Sequence, residues 1–578
     1  MTRGMCSEMA RKPANIVYGA ADPVPAHALL LVGLQHTLAM ASVLVLPVIV
    51  VQAMSGSDEL ASRFVRLSMI ATGIGTILQS LARGPVGSGY LCPNLCGPAY
   101  LSAAVLAVKA GGLGLLAGMT LVAGAVQALL SRFIHKLRAV LPPEVTGVIV
   151  TMVGLALVPW GVRNIAGAEP GMPPDPLSVA LGLGCLGLMF GLTVWGRGPL
   201  RLYSVLIAVA VAYVGAWLGG LMDPAAVRAL AAAPLFGLPR PQLLDGIVPT
   251  FDIALLAPFL IAAVSSLVKA VGDLTTCQKI NDADWHGPDM GTLRRGVLAD
   301  ALAVVGAGLL GGMPQSTSSS NVGLSLANGV TSRYVGFSAG LIFIGFAFSP
   351  LLALCFVYMP SALKGAILVF VACFMIVAGL QLVMSRMMDA RKTFVVGASL
   401  IAGLSVDLFP DYYRHLPPGW DAFIGSALSM ATVTAIALNL IFRIGIARQA
   451  KLEMRPGDDG PRRVQAFLER HGGAWGARRD VIQRAMQALT EFVDVARPLP
   501  ASGTVRVKLS YDELRLDAYL LYGGEPLDLN VAAPSAEELL EDGGALQRLS
   551  ALLIRRSADA VRQTRRGPFN LLRLSFES

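Results

Sequence analysis

Lys269 and Asp273 stand one helical turn apart in SSLVKAVGDLTT (Ser265–Thr276), directly after the apolar run FDIALLAPFLIAAV. Residues at i and i+4 share one helix face. No turn signal separates the run from the pair, so both charges belong inside or near a membrane span. Ionisable side chains at that depth are costly and mark partners, cavities or transport pathways. Three roles suit the pair. Lys269 supplies the counter-charge for an anion while Asp273 holds a neighbouring half-helix end or a coupling proton; Lys269 snorkels to the interface; or the two form a permanent pair that neutralises both.

Two further stretches cannot be continuous helices. GPVGSGYLCPNLCGPAY (Gly84–Tyr100) carries Pro93 and Pro98, which interrupt a helix. GGMPQSTSSSNVGLSLANG (Gly311–Gly329) contains STSSSN, whose side chains compete for backbone hydrogen bonds and favour extended or cap conformations. Irregular backbone at membrane depth is tolerated only inside protein or around a cavity. Interrupted segments at matching places in two halves of a chain point to a transporter's binding site. Helix starts near Pro98 and Asn321 would offer free N–H groups and positive dipole ends to a polar or anionic ligand. Ser318, Ser319 and Ser320 add hydroxyls, and Tyr100 could stack on a planar ring. Each of these also suits a purely structural break or a packed tyrosine.

The elements that must position these groups are membrane spans. The 578 residues are 54% hydrophobic and 14% charged, with a mean hydropathy of +0.63; soluble domains carry nearer a quarter charged residues. Apolar segments fall near 26–54, 65–82, 91–108, 112–131, 144–162, 177–195, 200–221, 253–277, 296–312, 321–330, 335–358, 361–383, 393–409 and 421–443. Many are long enough to span a bilayer. The loops after even-numbered segments hold Arg83; Arg132, Lys136 and Arg138; Arg197 and Arg201; Lys279, Arg294 and Arg295; Arg333; and Arg386, Arg391 and Lys392. The odd loops are poorer in Lys and Arg and hold acids such as Asp58 and Glu59. The positive-inside rule places the even loops and both termini in the cytoplasm, which agrees with an even count of fourteen.

The expected organisation is a cytoplasmic N-terminal segment (1–25), a transmembrane domain (26–445) and a cytoplasmic C-terminal α+β domain (446–578). In the last, RRDVIQRAMQALTEFVDVA has helical periodicity, TVRVKLSYDELRLDAYLLYGG alternates like two strands, and EELLEDGGALQRLSALLIRRSADAVRQ reads as helix. The order helix, strands, helix is similar to ATP-binding kinase-like modules. No Gly-rich nucleotide loop accompanies it, so a structural or regulatory domain is expected. No signal peptide pattern is present in residues 1–25. Seven cysteines suggest no disulfide framework, and Cys92 and Cys96 are spaced for neither zinc nor redox chemistry. Neither a metal site nor a cofactor is expected. The net charge of +9 is assigned to cytoplasmic loops, not to nucleic-acid binding.

SSSNVGLSLANGVTSRYVG (Ser318–Gly336) resembles the signature of the nucleobase–ascorbate transporter family, which includes xanthine, uracil and urate permeases. Asn321 and Gly323 stand in place. LQHTLAM (Leu34–Met40) resembles the Gln–His of the family's first span, here Gln35 and His36. KAVGDLTT resembles its eighth-span motif, and Asp300 in GVLADALAV matches an aspartate of the ninth. The resemblance covers residues 25–445 in order. It implies an all-α membrane domain of 14 spans in two inverted repeats of seven, with a core domain (spans 1–4 and 8–11), a gate domain (5–7 and 12–14) and broken spans 3 and 10. It also implies a substrate site between spans 3, 8 and 10, alternating access, a proton as coupling ion, and a homodimer through the gate.

Three positions depart from the family pattern. Lys269 stands where the family has glutamate, Ser320 where it has an acid or amide, and Asn328 where it has threonine. A lysine donates hydrogen bonds and accepts none. The resemblance places Lys269, Ser320, Asn321, Gly323, Pro98 and Tyr100 around the substrate. Gln35, His36, Asp273, Asp300 and Asn328 are then the coupling or core hydrogen-bonding residues. The expected function is secondary active transport of a nucleobase-like compound, such as xanthine or urate or its anion, across the inner or plasma membrane. Two alternatives stay open: transport of a small inorganic or carboxylate anion on the same fold, and a membrane sensor signalling through the C-terminal domain. No nucleophile, metal or nucleotide motif suggests an enzyme.

Overall fold

The computed structural model describes residues 11–134, 142–167, 173–197, 200, 203–241, 246–285, 288–385, 388–414, 426–444, 447–454, 460–475, 477, 479–495, 504–512, 515–524, 526–528, 543–566 and 569–577. The basic residues Lys136, Arg138, Arg201 and Arg386, on which part of the orientation expectation rests, lie outside them. Two compact units divide the chain, Met1–Leu440 and Ile441–Ser578.

The first unit carries α1 (Ala26–Ala41), α2 (Val45–Gln52), α3 (Asp58–Ser80), β1 (Asn94–Cys96), α4 (Leu101–Ser131), α5 (Pro143–Ala166), α6 (Pro176–Trp195), α7 (Ser204–Leu218), α8 (Pro224–Ala232), α9 (Leu256–Asn281), α10 (Met290–Leu310), β2 (Gln315–Thr317), α11 (Ser319–Asn328), α12 (Arg333–Ala347), α13 (Pro350–Val357), α14 (Ser361–Val383), α15 (Ala390–Leu408), α16 (Pro410–Arg414) and α17 (Ala427–Phe442). Among the described residues, six helical stretches are long and apolar enough to cross a membrane, or seven if α12 and α13 count as one bent span. Apolar side chains such as Leu183, Val194, Val214, Trp217 and Ile401 point outward and exposed, as a lipid-facing surface requires.

Local chemistry sets the breaks. α4 covers two of the expected segments, and its ladder is interrupted at Gly111 (φ −156°, ψ 21°) and Gly112 (φ 69°). The segment expected as one span at 335–358 is instead two helices bent by 82°. The Ser349 side chain caps α13, and Pro350 fills its first turn, so a new helix begins where a straight one was expected. Close packing rests on small residues. A Cβ on Gly147 of α5 would meet the Gly379 carbonyl oxygen of α14 at 2.6 Å, and one on Gly154 would meet that of Ala372 at 3.0 Å. A Cβ on Gly161 would meet the Gly365 carbonyl oxygen at 3.3 Å. Small residues seven apart on both helices thus bring the two backbones into contact, as in membrane helix pairs generally.

The second unit is a five-stranded antiparallel sheet in the order β3-β4-β5-β7-β6. Its strands are β3 (Arg448–Met454), β4 (Val505–Tyr511), β5 (Arg515–Gly523), β6 (Ala560–Arg566) and β7 (Phe569–Glu577). Helices α18 (Gly460–Trp475), α19 (Arg479–Val495) and α20 (Gly543–Ser557) join one face of the sheet in a single apolar core. The sequence reading found α19, β4 and β5 but missed β3, α18 and β7. It also extended the last helix to Gln563, whereas the helix ends at Ser557 and Ala560–Arg566 pairs with β7. Long-range pairing there overrides local propensity. Residues 537–542 of that expected helix lie outside the described ones.

Candidate functional site

β1 and β2 pair antiparallel, Asn94 opposite Thr317 and Cys96 opposite Gln315, with every residue of both strands buried. The two broken segments therefore meet each other. β1 runs through a single 3-10 turn, Pro98–Tyr100, into α4. β2 leads into α11, where the Ser318 hydroxyl caps the Asn321 N–H. Cross-links fix the crossing: the Ser318 N–H donates to the Pro93 carbonyl oxygen (2.8 Å) and the Gly97 N–H to that of Pro314 (2.8 Å).

α9 passes beside this crossing. The Lys269 Nζ donates to Asp273 Oδ2 at 3.1 Å and to the Thr317 carbonyl oxygen. Asp273 also accepts from the Thr317 hydroxyl (2.6 Å) and the Ser319 hydroxyl (2.6 Å). Lys269 is 8% exposed and Asp273 7%. The pair thus grips the junction of β2 and α11. An ammonium has three N–H donors, and two are engaged here.

A second carboxylate lies deeper. Asp300 on α10 is fully buried. It accepts from Asn94 Nδ2 (2.9 Å), Gln127 Nε2 (2.6 Å) and the Ser266 hydroxyl (3.4 Å). Every one of these donors is neutral. The Tyr100 hydroxyl extends the chain by donating to Gln127 Oε1 at 3.5 Å. The Tyr100 ring is itself 0% exposed and Pro98 is buried, so in this conformation neither presents an open face to a ligand.

The first span supports α11. His36 Nδ1 lies 2.8 Å from Asn321 Oδ1, and the Asn321 amide donates to the Ser318 hydroxyl at 2.8 Å. The Asn328 amide donates to Gln35 Oε1 at 2.9 Å. His36 Nε2 and Gln35 Nε2 are buried with no hydrogen-bond partner among the described residues. Ser320 and Gly323 are exposed at the start of α11, and a Cβ on Gly323 would meet nothing within 4 Å. Residues 11–24 strap the far ends of this assembly. The Val17 N–H donates to the Gly329 carbonyl oxygen (2.8 Å), and Asn281 Oδ1 at the end of α9 accepts from the Ala20 N–H (3.1 Å) and the Thr331 hydroxyl (2.6 Å).

The structure therefore brings Lys269, Asp273, Asn321, His36 and Asp300 around one strand crossing. Sequence reasoning missed Asn94, Gln127, Thr317 and Ser266. Gln127, an amide inside an apolar segment, carried a readable signal; Thr317 could be placed only by knowing the β1–β2 pairing. A cavity of about 220 Å³ lies elsewhere, lined mostly by apolar residues such as Leu38, Leu44, Val209 and Phe356, with Ser42 and Tyr213 among them. The Ser42 and Tyr213 hydroxyls both donate to backbone carbonyls, of Ala39 and Cys355, so the cavity offers little to orient a polar ligand. The described cysteines are free, and no group of acids, histidines and cysteines suited to a metal occurs among the described residues.

Residues 27–411 match the model of the Permease family (Xan_ur_permease). The xanthine permease XanP of Escherichia coli (strain K12) is 28% identical over 446 residues, covering 74% of this chain and 95% of that protein. The uric acid permease PucJ of Bacillus subtilis (strain 168) is 27% identical over 421 residues, covering 71% and 92%. A solved structure of the murine Solute Carrier 26 family member A9 anion transporter overlaps with a TM-score of 0.49 at 11% identity, over 75% of this chain and 71% of that one.

Proposed function

The chain belongs to the Permease family, and on that footing we propose that it is a secondary active transporter of a purine base, with xanthine and urate as the first candidates. It is a multi-pass membrane transporter and not an enzyme. The observation that carries the substrate reading is the strand crossing itself. Two interrupted segments meet at one buried junction, with Lys269 and Asp273 on one side, Ser320 and Gly323 open at the start of α11, and His36 behind it. A purine presents N–H and C=O groups along one edge. The remaining Lys269 proton suits a carbonyl or anionic nitrogen, and the hydroxyls and amide at the start of α11 suit the rest.

Our reading keeps fourteen spans in two inverted sevens, with both termini cytoplasmic. The glycine contacts support the repeat. A Cβ on Gly73 of the second segment would meet the Gly340 carbonyl oxygen of the eleventh at 2.6 Å. A Cβ on Gly308 of the ninth would meet the Ala117 carbonyl oxygen of the fourth at 3.1 Å. A shift of seven segments turns the first contact into the second. Asp300, held by neutral donors only, is our choice for the coupling proton. Assembly is proposed to be a homodimer in the plasma membrane.

Uptake of radiolabelled xanthine and urate into cells or proteoliposomes tests this. Saturable uptake that unlabelled urate competes away, and that bicarbonate or sulfate leaves untouched, is expected. Transport of the inorganic anions and not the purines would replace the proposal. Uptake should survive deletion of residues 446–578; a chain that binds purine without moving it would be a sensor.

A further inference from the structure

Among the described residues, helices cover one face of the sheet of the second unit and none covers the other. Leu516, Ala518, Leu520 and Tyr522 of β5, with Leu572, Leu574 and Phe576 of β7, point into the core beneath α18, α19 and α20. The alternate residues point the other way, and the strand register aligns them in rows. One row crosses all five strands: Lys451, Lys508, Tyr519, Arg573 and Arg562. The next runs Glu453, Arg506, Leu521, Leu571 and Thr564, and Phe569 follows, 46% exposed.

This face has an excess of positive charge. Glu453 pairs with Arg506 at 2.9 Å, and Asp517 is shared by Arg515 and Arg573 at 2.9 Å each. Lys451, Lys508 and Arg562 make no ion pair among the described residues. Arg573 also lies 5.3 Å over the Tyr519 ring, which fixes an aromatic in the middle of the basic row. A flat row of cations beside Leu521, Leu571 and Phe569 combines the two features that hold proteins to an anionic bilayer: attraction to phosphate and shallow apolar burial. The chain supplies proximity. Five residues separate the end of α17 from the start of β3, a reach of roughly 20 Å at full extension, so headgroups are the anions at highest local concentration.

We propose that the open face of this sheet docks on anionic phospholipid headgroups at the membrane surface, with the Lys451–Arg562 row meeting phosphate and Leu521, Leu571 and Phe569 entering the interface. The proposal goes beyond transport and does not depend on which base is carried or on which side of the membrane the domain lies.

Lys451 and Lys508 are the only lysines after residue 441, so amine labelling reads this face directly. The full-length protein would be placed in nanodiscs of phosphatidylcholine, or of phosphatidylcholine with about one-third phosphatidylglycerol. A water-soluble acylating reagent would be added and the labelling rate at each lysine followed by mass spectrometry. Labelling several-fold slower in the anionic discs is expected, with the difference lost at high salt, as surface charge screening requires. Arg562→Glu, on an exposed edge strand, should weaken the protection at both lysines without altering thermal stability. Equal rates in the two lipids would overturn the proposal. So would protection equal in both lipids and in detergent, which would mean that protein covers the face, and protection that appears only on adding RNA or an acidic peptide. Failure here would leave purine uptake, and the reading built on it, unaffected.

Discussion

Removing the charge of Asp273 while keeping its shape tests the geometry around α9 most directly. In Asp273→Asn the amide offers one acceptor oxygen, so only one of the Thr317 and Ser319 hydroxyls can still donate to it and the other must turn to accept from the amide N–H, while Lys269, 8% exposed, loses its counter-charge. Breaking a buried ion pair from one side costs about 3–5 kcal/mol. Lys269→Met removes the ammonium's bonds to Asp273 and to the Thr317 carbonyl oxygen but leaves Asp273 with two hydroxyl donors, a loss of about 1.5–3 kcal/mol. At roughly 2 °C per kcal/mol for a unit of this size, Asp273→Asn should lower the unfolding midpoint in detergent by about 6–10 °C and Lys269→Met by about 3–6 °C. The double variant buries no lone charge and should lie closer to the wild type than Asp273→Asn does, with a coupling of about 2 kcal/mol. Additive single effects would refute the pair. Uptake by the double variant then separates two roles. Retained purine transport makes the pair a structural clasp on α11, whereas a folded, stable protein that no longer transports makes the Lys269 ammonium a ligand for the base.

Asp300→Asn keeps one acceptor oxygen, which can serve Gln127 and Ser266 or Asn94 but not both sides, and removes the exchangeable charge, so substrate exchange should continue while accumulation loses its dependence on external pH; an unchanged pH profile assigns the proton elsewhere. Gly154→Leu drives a side chain into the Ala372 carbonyl of α14 and should abolish monodisperse protein, whereas Gly187→Leu, where a Cβ meets nothing within 4 Å, should behave as wild type in gel filtration. Asn281→Ala removes the acceptor shared by Ala20 and Thr331; hydrogen exchange at the Val17 and Tyr18 amides should rise by tenfold or more while that of β1 and β2 stays slow.

The parts legible in the sequence were those governed by local rules. Apolar runs located the helices because lipid demands them, and the two interrupted segments were readable from Pro93, Pro98 and the serine run. That they would pair as strands was not readable, since three-residue strands carry no period. Lys269 and Asp273 were visible as a pair on one helix face, yet the grip on Thr317 and Ser319 follows from the chain crossing, not from spacing. The bend at Ser349–Pro350 was present as a cap and a proline, concealed within a continuous apolar run. In the second unit, β3 was masked by its exposed charges, because an edge strand with one buried face presents only Ala450, Leu452 and Met454 inward.

The α5–α14 seam has a consequence for folding. Small residues recur every seventh position on both helices, at Gly147, Gly154 and Gly161 and at Gly365, Ala372 and Gly379. The two helices could therefore mesh again after slipping by one heptad, about 10 Å, with small residue still against small residue. One contact that works against this degeneracy is Thr151, whose hydroxyl occupies the space that a Cβ on Gly379 would fill. Slipping in one direction would set Thr151 against the Ala372 methyl instead. Ile165, whose side chain lies where a Cβ on Gly365 would fall, sits at the other end of the seam, so correct assembly of this pair depends on a few β-branched side chains and the glycines that leave room for them, a choice of register made between two otherwise repetitive rails.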